Sequence, residues 1–448
     1  MISEKNLEVF GYECISAYSN KITDFGAFSQ TNMITFKDKG VLFLRNQDIR
    51  EGYIDENNSV FIDESIYNKL TLHLEEGDIL IPRVGTLGNA ALIKKNMLPC
   101  TSNQNLAIIR LKNEINKYAI IAILVSKIGN YQINRLSTGN VQQWLNLATI
   151  GNIKIPCLAN DFMDKIGNLM EMSNISIIKS NEKYYEAQNI LISELGLEDF
   201  NPSNEKVSIK TLKESFLKTG RLDSEYYQVK YDDYLKKIKL NKHTTISNEF
   251  DLIKEKIKIG LDSYNYVEIG DVNVSDGKSN PKLIDEKDLP ANAKIMPKKG
   301  DLLVSKVRPN RGAISIIEED YSNLVVSGAF AVLREKKESD YRVETLKTLL
   351  RTPIYADWLL KFNVGTSYPV ITDEDIVSLP IPIIKSNVQD EIANYIKQSM
   401  EYSRKAKELL EISTKSVEIA IDKDETAAHN FLEQNRTEQN RTGSNCLL

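Results

Sequence analysis

The feature that most constrains this 448-residue chain is a long internal repeat. Val41–Gly52 (VLFLRNQDIREG) is matched by Tyr264–Gly277 (YNYVEIGDVNVSDG), with Asp48 and Asp271 at an offset of 223. Glu76–Leu92 (EGDILIPRVGTLGNAAL) is matched by Lys299–Ile316 (KGDLLVSKVRPNRGAISI), and Gly77-Asp78 and Gly300-Asp301 keep that offset. Ser137–Asn140 (STGN) then faces Asn363–Thr366 (NVGT), Ile153–Cys157 faces Leu379–Ile383, and Asp164 faces Asp390, all at 226. A drift of three residues over such a length is one small insertion, so one unit is written twice.

Each unit reads the same way. Short runs of Val, Ile, Leu and Tyr, broken by Gly, Asn, Asp and Pro, come first (GDILIPRVG, NLAIIRL, GDLLVSKV, LVVSGAFAVL), which is strand-and-turn chemistry. A long helical stretch follows. Met163, Ile166, Met170, Ser173, Ile177, Ser180, Tyr184, Ala187 and Leu191 keep a 3–4 spacing, as do Ile392, Ile396, Ser399, Ser403, Ala406, Leu410, Ser413 and Val417. Pro156 and Pro382 stand just ahead of each stretch, where a helix boundary belongs. Ser and Ala on both seams permit close approach, so the two helices are expected to pack on each other, antiparallel. The expected fold is α+β, with two pseudo-symmetric strand-rich domains joined by that helix pair. Roughly 30 residues of helix span about 45 Å.

Composition excludes several classes. Hydrophobic residues are 42% and charged residues 27% of the chain, ordinary values for a globular protein. The longest apolar run, Tyr118–Val125, is far short of a membrane span, and MISEKNLEVF does not read as a secretory leader, so a cytoplasmic location is expected. Cys14, Cys100, Cys157 and Cys446 form no C-x-x-C clamp. His73, His243 and His429 are too scattered to suggest a zinc site or a triad. Gly277-Lys278-Ser279 lacks the first glycine of a phosphate loop, since position 272 is valine, and reads as a turn. Gly85-Thr86-Leu87-Gly88 lacks the dinucleotide spacing. No catalytic residue, metal ligand or cofactor site is assigned.

Binding chemistry remains. The net charge is −5, from 57 basic and 62 acidic side chains, but the cations are concentrated locally. Ile79–Asn113 holds Arg83, Lys94, Lys95, Arg110 and Lys112 and no acid; Lys294–Arg311 holds six basic residues against Asp301. In both, a strand ends in a Gly-rich loop carrying groups that suit DNA, where Arg and Lys fork onto guanine or hold phosphate and Asn and Gln suit adenine. The candidates are Arg83, Thr86, Lys94, Lys95, Asn103 and Gln104 in the first unit, and Lys306, Arg308, Asn310 and Arg311 in the second. Asn140, Gln142, Gln143 and Trp144, and Thr366, Ser367 and Tyr368, occupy corresponding loops further on.

Taken in order, these features resemble the specificity subunits of type I restriction–modification systems. The resemblance is carried by GDILIPRVGTLGNAAL with TSNQNLAII downstream and by STGNVQQWLNLATIGNIKIP leading into a helix. In the second unit it is carried by RLDSEYYQVKYDDYL (Arg221–Leu235), GDLLVSKVRPNRGAI, and NVGTSYPVITDEDIVSLPIPI before a helix near Gln389. It covers roughly residues 7–421, and RLDSEYY has no counterpart ahead of the first unit. It implies a non-catalytic protein with target recognition domains at 1–158 and 211–385. Long helices at 159–197 and 386–424, a linker at 198–210 and a disordered tail at 425–448 complete the division. Each recognition domain would read one half of a bipartite, asymmetric site on double-stranded DNA, the helices fixing the spacer. Domains about 45 Å apart could reach groove segments about one turn, 34 Å, apart. Ile166, Met170, Ile177, Tyr184, Leu191, Ile392, Ile396, Leu410 and Val417 would mark the helices that bind partners. Those partners would be two methyltransferase subunits and restriction/motor subunits, which would hold S-adenosylmethionine, ATP and Mg. The rival expectations are a stand-alone or decoy DNA-binding module without a methyltransferase partner, and a helical scaffold whose strand-rich domains bind protein.

Overall fold

A computed structural model describes residues 4–26, 32–57, 59–139, 143–256, 260–274, 276–365 and 367–441. The chain divides into two units, residues 1–179 with 402–448, and residues 180–401. The fold is α+β, as the repeat predicts.

Among the described residues of the first unit, a four-stranded antiparallel sheet has the order Ser19–Asp24, Leu106–Leu111, Ile79–Pro82, Ala91–Leu92. Its central strands are buried on both faces, which is why GDILIP and NLAIIRL read as unbroken apolar runs. Alternate side chains serve two cores. Ile79, Ile81, Ala107 and Ile109 pack with the helices. Leu80, Ala91, Leu106 and Ile108 pack with a smaller sheet in which Val41–Leu44 runs antiparallel to Val60–Ile62 and parallel to Cys100–Ser102. Tyr12–Cys14 pairs antiparallel with Lys154–Pro156, closing the unit just before the long helix.

The second unit repeats this frame. Its four-stranded sheet is Phe250–Leu252, Phe330–Glu335, Leu302–Ser305, Ile314–Ile316. Leu302, Val304, Ala331 and Leu333 face the helical core, and Leu303, Phe330 and Val332 the opposite one. The second sheet, here also four-stranded, again contains a parallel pair, Ser263–Val267 beside Leu324–Ser327. His243–Thr245 pairs with Pro380–Pro382 as the closing ladder.

The repeated Gly-Asp pairs explain themselves here. Asp78 accepts the backbone N–H of Glu75 at 2.9 Å and a two-pronged contact from Arg110, at 2.8 and 2.9 Å. Asp301 accepts Lys298 N–H at 2.7 Å and both prongs of Arg334 at 2.7 Å. Both aspartates are 1% exposed. Each carboxylate locks the turn that starts its strand, and the arginine from the neighbouring strand neutralises it. Asp48 and Asp271 likewise cap short helical turns by accepting the N–H groups of Arg45 and Glu268. These residues hold the frame.

The long helices run Asn160–Glu194 and Ser386–Asp422, 35 and 37 residues. In the first unit Ser173 donates to the carbonyl of Ala406 at 2.7 Å, and Ser413 to that of Ile166 at 2.9 Å. Both pairs of numbers add to 579, the mark of antiparallel packing. In the second unit Ser180 donates to the carbonyl of Ser399 at 2.8 Å, and Lys385 pairs with Glu194 at 3.0 Å, with the same sum. The seam serines therefore bond across to the facing backbone, which keeps buried hydroxyls satisfied.

Two expectations are corrected. The nine apolar seam residues were expected to mark the helices that bind partners, and they are not themselves a free surface. Ile166, Met170, Tyr184, Leu191, Ile392, Ile396 and Val417 are instead buried in the chain's own cores, and Ile177 and Leu410 are half-buried. The second correction concerns the tail expected from 425 on. Glu425–Arg441 is a helix, begun by Asp424, whose carboxylate accepts Ala427 N–H at 2.7 Å. Ala428 and Leu432 enter the first unit's core, Phe431 packs against it, and the His429 ring lies 5.2 Å from that of Phe162. Its Glu, Gln and Arg content reads as disorder but also favours helix once an apolar edge has a core to meet. Residues 442–448 lie outside the described residues.

Candidate nucleic-acid interface

The repeat places two equivalent tips, each where a central strand leaves its sheet. After Ile79–Pro82, the N–H of Arg83 bonds to Asn105 O at 2.8 Å and Arg83 O accepts Leu145 N–H at 2.9 Å. After Leu302–Ser305, Lys306 N–H bonds to Ala329 O and Lys306 O accepts Ile371 N–H, both at 2.9 Å. Val84 bridges to Trp144 and Val307 to Val370. The backbones are copies, but the side chains they carry are not.

In the first unit the tip is closed. Arg83 is buried, and its guanidinium is held by the Asp24 carboxylate, by Leu145 O at 3.0 Å and by Gln104 O at 3.4 Å. The Trp144 ring covers it, with the guanidinium carbon 4.6 Å from the ring centre. This arginine ties the tip to the sheet edge and is not available to DNA. Thr86 donates to Asn46 O at 3.2 Å, and Asn103 accepts Asn105 N–H at 3.1 Å within its own turn. Gln104 is half-buried, its carbonyl engaged by Arg83. Lys94 is turned inward: its ammonium donates to Asn174 of the long helix, and burial lowers its pKa while Glu56 and Glu171 oppose that shift. Arg83 and Lys94 are thus corrected from DNA contacts to structural ones. Lys95 is exposed, on the short turn Lys95–Met97.

The second tip is open. Lys306 is spent on Asp373, its Nζ 2.9 Å from the carboxylate, and is likewise corrected to a structural role. Beyond it, Arg308, Asn310 and Arg311 are exposed around the turn Pro309–Arg311, anchored by the buried Pro309. The Arg308 guanidinium sits 5.4 Å from the centre of the Tyr368 ring, which is 47% exposed.

Arg308 holds the left-handed conformation, with φ 49° and ψ 53°. It is the only residue other than glycine with positive φ among the described residues. Such a backbone costs an L-residue about 1 kcal/mol or more, and a following proline biases it toward extended geometry instead. The first unit's equivalent, at offset 223, is Gly85, with φ 83°. The frame asks for glycine at this corner, and the second unit carries arginine. The reverse asymmetry lies one strand on, where Lys94-Lys95 of the first unit are matched by Glu318-Glu319, at offset 224.

Of the ten candidates, the structure brings Arg308, Asn310 and Arg311 together with Tyr368 on one exposed tip. Gln143, Trp144 and Ser367 are exposed on the neighbouring loops. Asn140, Gln142 and Thr366 lie outside the described residues. Among the described residues no group of three His, Cys, Asp or Glu side chains is placed to hold a metal ion. No helix there is long and apolar enough to cross a membrane.

The doubled α+β frame thus carries exposed cations beside an aromatic ring on one loop of its second unit, a chemistry that suits nucleic acid. Residues 238–412 match the family described as "Type I restriction modification DNA specificity domain". The chain is 32% identical over 151 residues to the type I restriction enzyme HindI specificity subunit of Haemophilus influenzae. That alignment spans 32% of this chain and 32% of the relative, about a third of its length. A type I restriction–modification S subunit from M. genitalium is similar at 12% identity and a TM-score of 0.43, over 93% of this chain and 95% of that one. An HsdS subunit from Thermoanaerobacter tengcongensis is similar at 12% identity and a TM-score of 0.30, over 92% and 97%.

Proposed function

We propose that this chain is the sequence-reading subunit of a type I restriction–modification complex. It binds double-stranded DNA at a bipartite, asymmetric site, one part read by each unit, with the helix pair setting the spacer. It does no chemistry itself. Two methyltransferase subunits and the restriction/motor subunits are its partners, and S-adenosylmethionine, ATP and Mg belong to them. The duplicated specificity-domain frame supports the division into two readers.

The observation that carries the reading is Arg308. A strained arginine at an exposed corner where the repeat has glycine adds nothing to the fold, while its guanidinium can fork onto a guanine edge or a phosphate. Asn310 and Arg311 add an amide and a second cation beside it, and Tyr368 restricts the guanidinium before binding.

The test is Arg308→Gly in the full chain. A cognate duplex is first selected from a pool of degenerate double-stranded DNA. The variant is expected to lose about tenfold in affinity for that duplex, with thermal stability no lower than wild type because the backbone strain is relieved. Unchanged affinity would contradict the reading of this tip.

A further inference from the structure

Behind the open tip, the second unit contains one side chain that joins three elements. Arg351 follows helix Val343–Leu350. Its Nε donates to the Tyr184 hydroxyl at 2.6 Å, and its guanidinium carbon lies 5.2 Å from the centre of that ring. Tyr184 sits on the long helix Asn160–Glu194. The Nη1 of Arg351 donates to Gly312 O, at the end of the Pro309–Arg311 turn, and Nη2 to Val274 O at 2.8 Å, beside Asp276-Gly277-Lys278. The packing is close: a Cβ on Gly277 would lie 2.4 Å from Ile314 O and 2.9 Å from both Arg351 Nη1 and Lys347 Cε. Gly277 and Gly312 both have positive φ, at 67° and 76°, so both loops turn tightly over the guanidinium.

The equivalent positions of the first unit, both described, do not carry this link. At offset 226 Arg351 corresponds to Val125 and Tyr184 to Leu410. There Asn130, which bonds Val125 O at 2.9 Å, lies under Gly88, the counterpart of Gly312.

We propose that Arg351, held by Tyr184, is a positioning residue for sequence recognition: it fixes the Arg308–Arg311 tip to the long helix of its own unit. It does not touch DNA. A guanidinium offers a rigid planar fork of donors, and here three directions are used on three different elements. A reading side chain discriminates bases only while its backbone is held within a fraction of an ångström, so the fork converts helix position into tip position. The proposal rests on the DNA-reading role argued above and names what sets that tip's selectivity.

The experiment uses the full chain as wild type, Tyr184→Phe and Arg351→Lys. Tyr184→Phe keeps the ring and removes only the accepting hydroxyl; Arg351→Lys keeps the charge and removes the fork. Each protein is put through selection from the degenerate duplex pool, with thermal unfolding measured alongside. Both variants are expected to lose about tenfold in discrimination at one part of the selected motif, while the other part, and binding to unselected DNA, stay as in wild type. Tyr184→Phe is expected to stay folded, its thermal unfolding lowered by no more than one lost hydrogen bond, and decides the matter if Arg351→Lys does not fold. Tyr184→Phe selecting the wild-type motif with undiminished discrimination would overturn the positioning role alone. So would an equal loss at both parts of the motif, which marks general damage. A wild type that selects no motif would overturn the DNA-reading role and this proposal with it.

Discussion

Lys347 is a residue whose surroundings oppose its charge. It is 3% exposed on helix Val343–Leu350, and burial, with Arg351 and Lys278 nearby, lowers its pKa to about 8 against the partial relief of Asp276 and Glu318. Because the folded pKa lies below the ordinary lysine value, the unfolded chain binds the extra proton between pH 8 and 10.5. The penalty is complete below that window and fades as pH rises through it. The stability of wild type relative to Lys347→Met is therefore expected to improve by about 3 kcal/mol from pH 7 to pH 10.5, measured by urea unfolding across a pH series. A difference independent of pH would contradict the burial of this charge. Lys347 on that helix and Arg351 just beyond its end, beside Leu346, Leu349 and Leu350, carried a signal in the sequence, since cations on a buried face need partners. The partners themselves were not legible. Tyr184, Val274 and Gly312 are up to 167 residues away, and only folding brings them to one guanidinium. Arg83 taught the same lesson in reverse: its tip was found by the repeat, but Asp24, which closes it, lies 59 residues upstream.

At the scale of elements, the helix pair was the most legible part of the chain, and its use the least. A 3–4 spacing shows which face of a helix is apolar; it does not show what covers that face. Here the chain covers its own seams, and small residues let the backbones approach until Ser173 and Ser413 bond the opposite helix. Ser173→Ala and Ser413→Ala are each expected to lower stability by about 1 kcal/mol in equilibrium unfolding, and together by nearly the sum. No loss from either would mean that the cross-helix bonds contribute nothing. The strands were legible for a related reason, since residues buried on two faces must be apolar throughout. The C-terminal helix was hidden because Ala428, Phe431 and Leu432 are too few to mark an amphipathic face amid polar sequence.

Across the whole molecule, duplication carries the account. The two units share a frame down to single hydrogen bonds, such as Asp78 with Arg110 and Asp301 with Arg334. They differ in what stands on that frame: glycine against arginine at the tip corner, exposed Lys95 against exposed Glu319 one strand on. One frame with two sets of surface chemistry is what a protein needs to read two different short sequences. The measurement that tests this most directly is genome-wide mapping of methylated bases in a methylation-free host. The chain would be co-expressed there with the methyltransferase subunits proposed as its partners, and those subunits expressed alone as the comparison. The account predicts a motif of two unlike specified tracts with a fixed spacer, appearing only when this chain is present. Methylation that is identical without the chain, or a single uninterrupted motif, would contradict it.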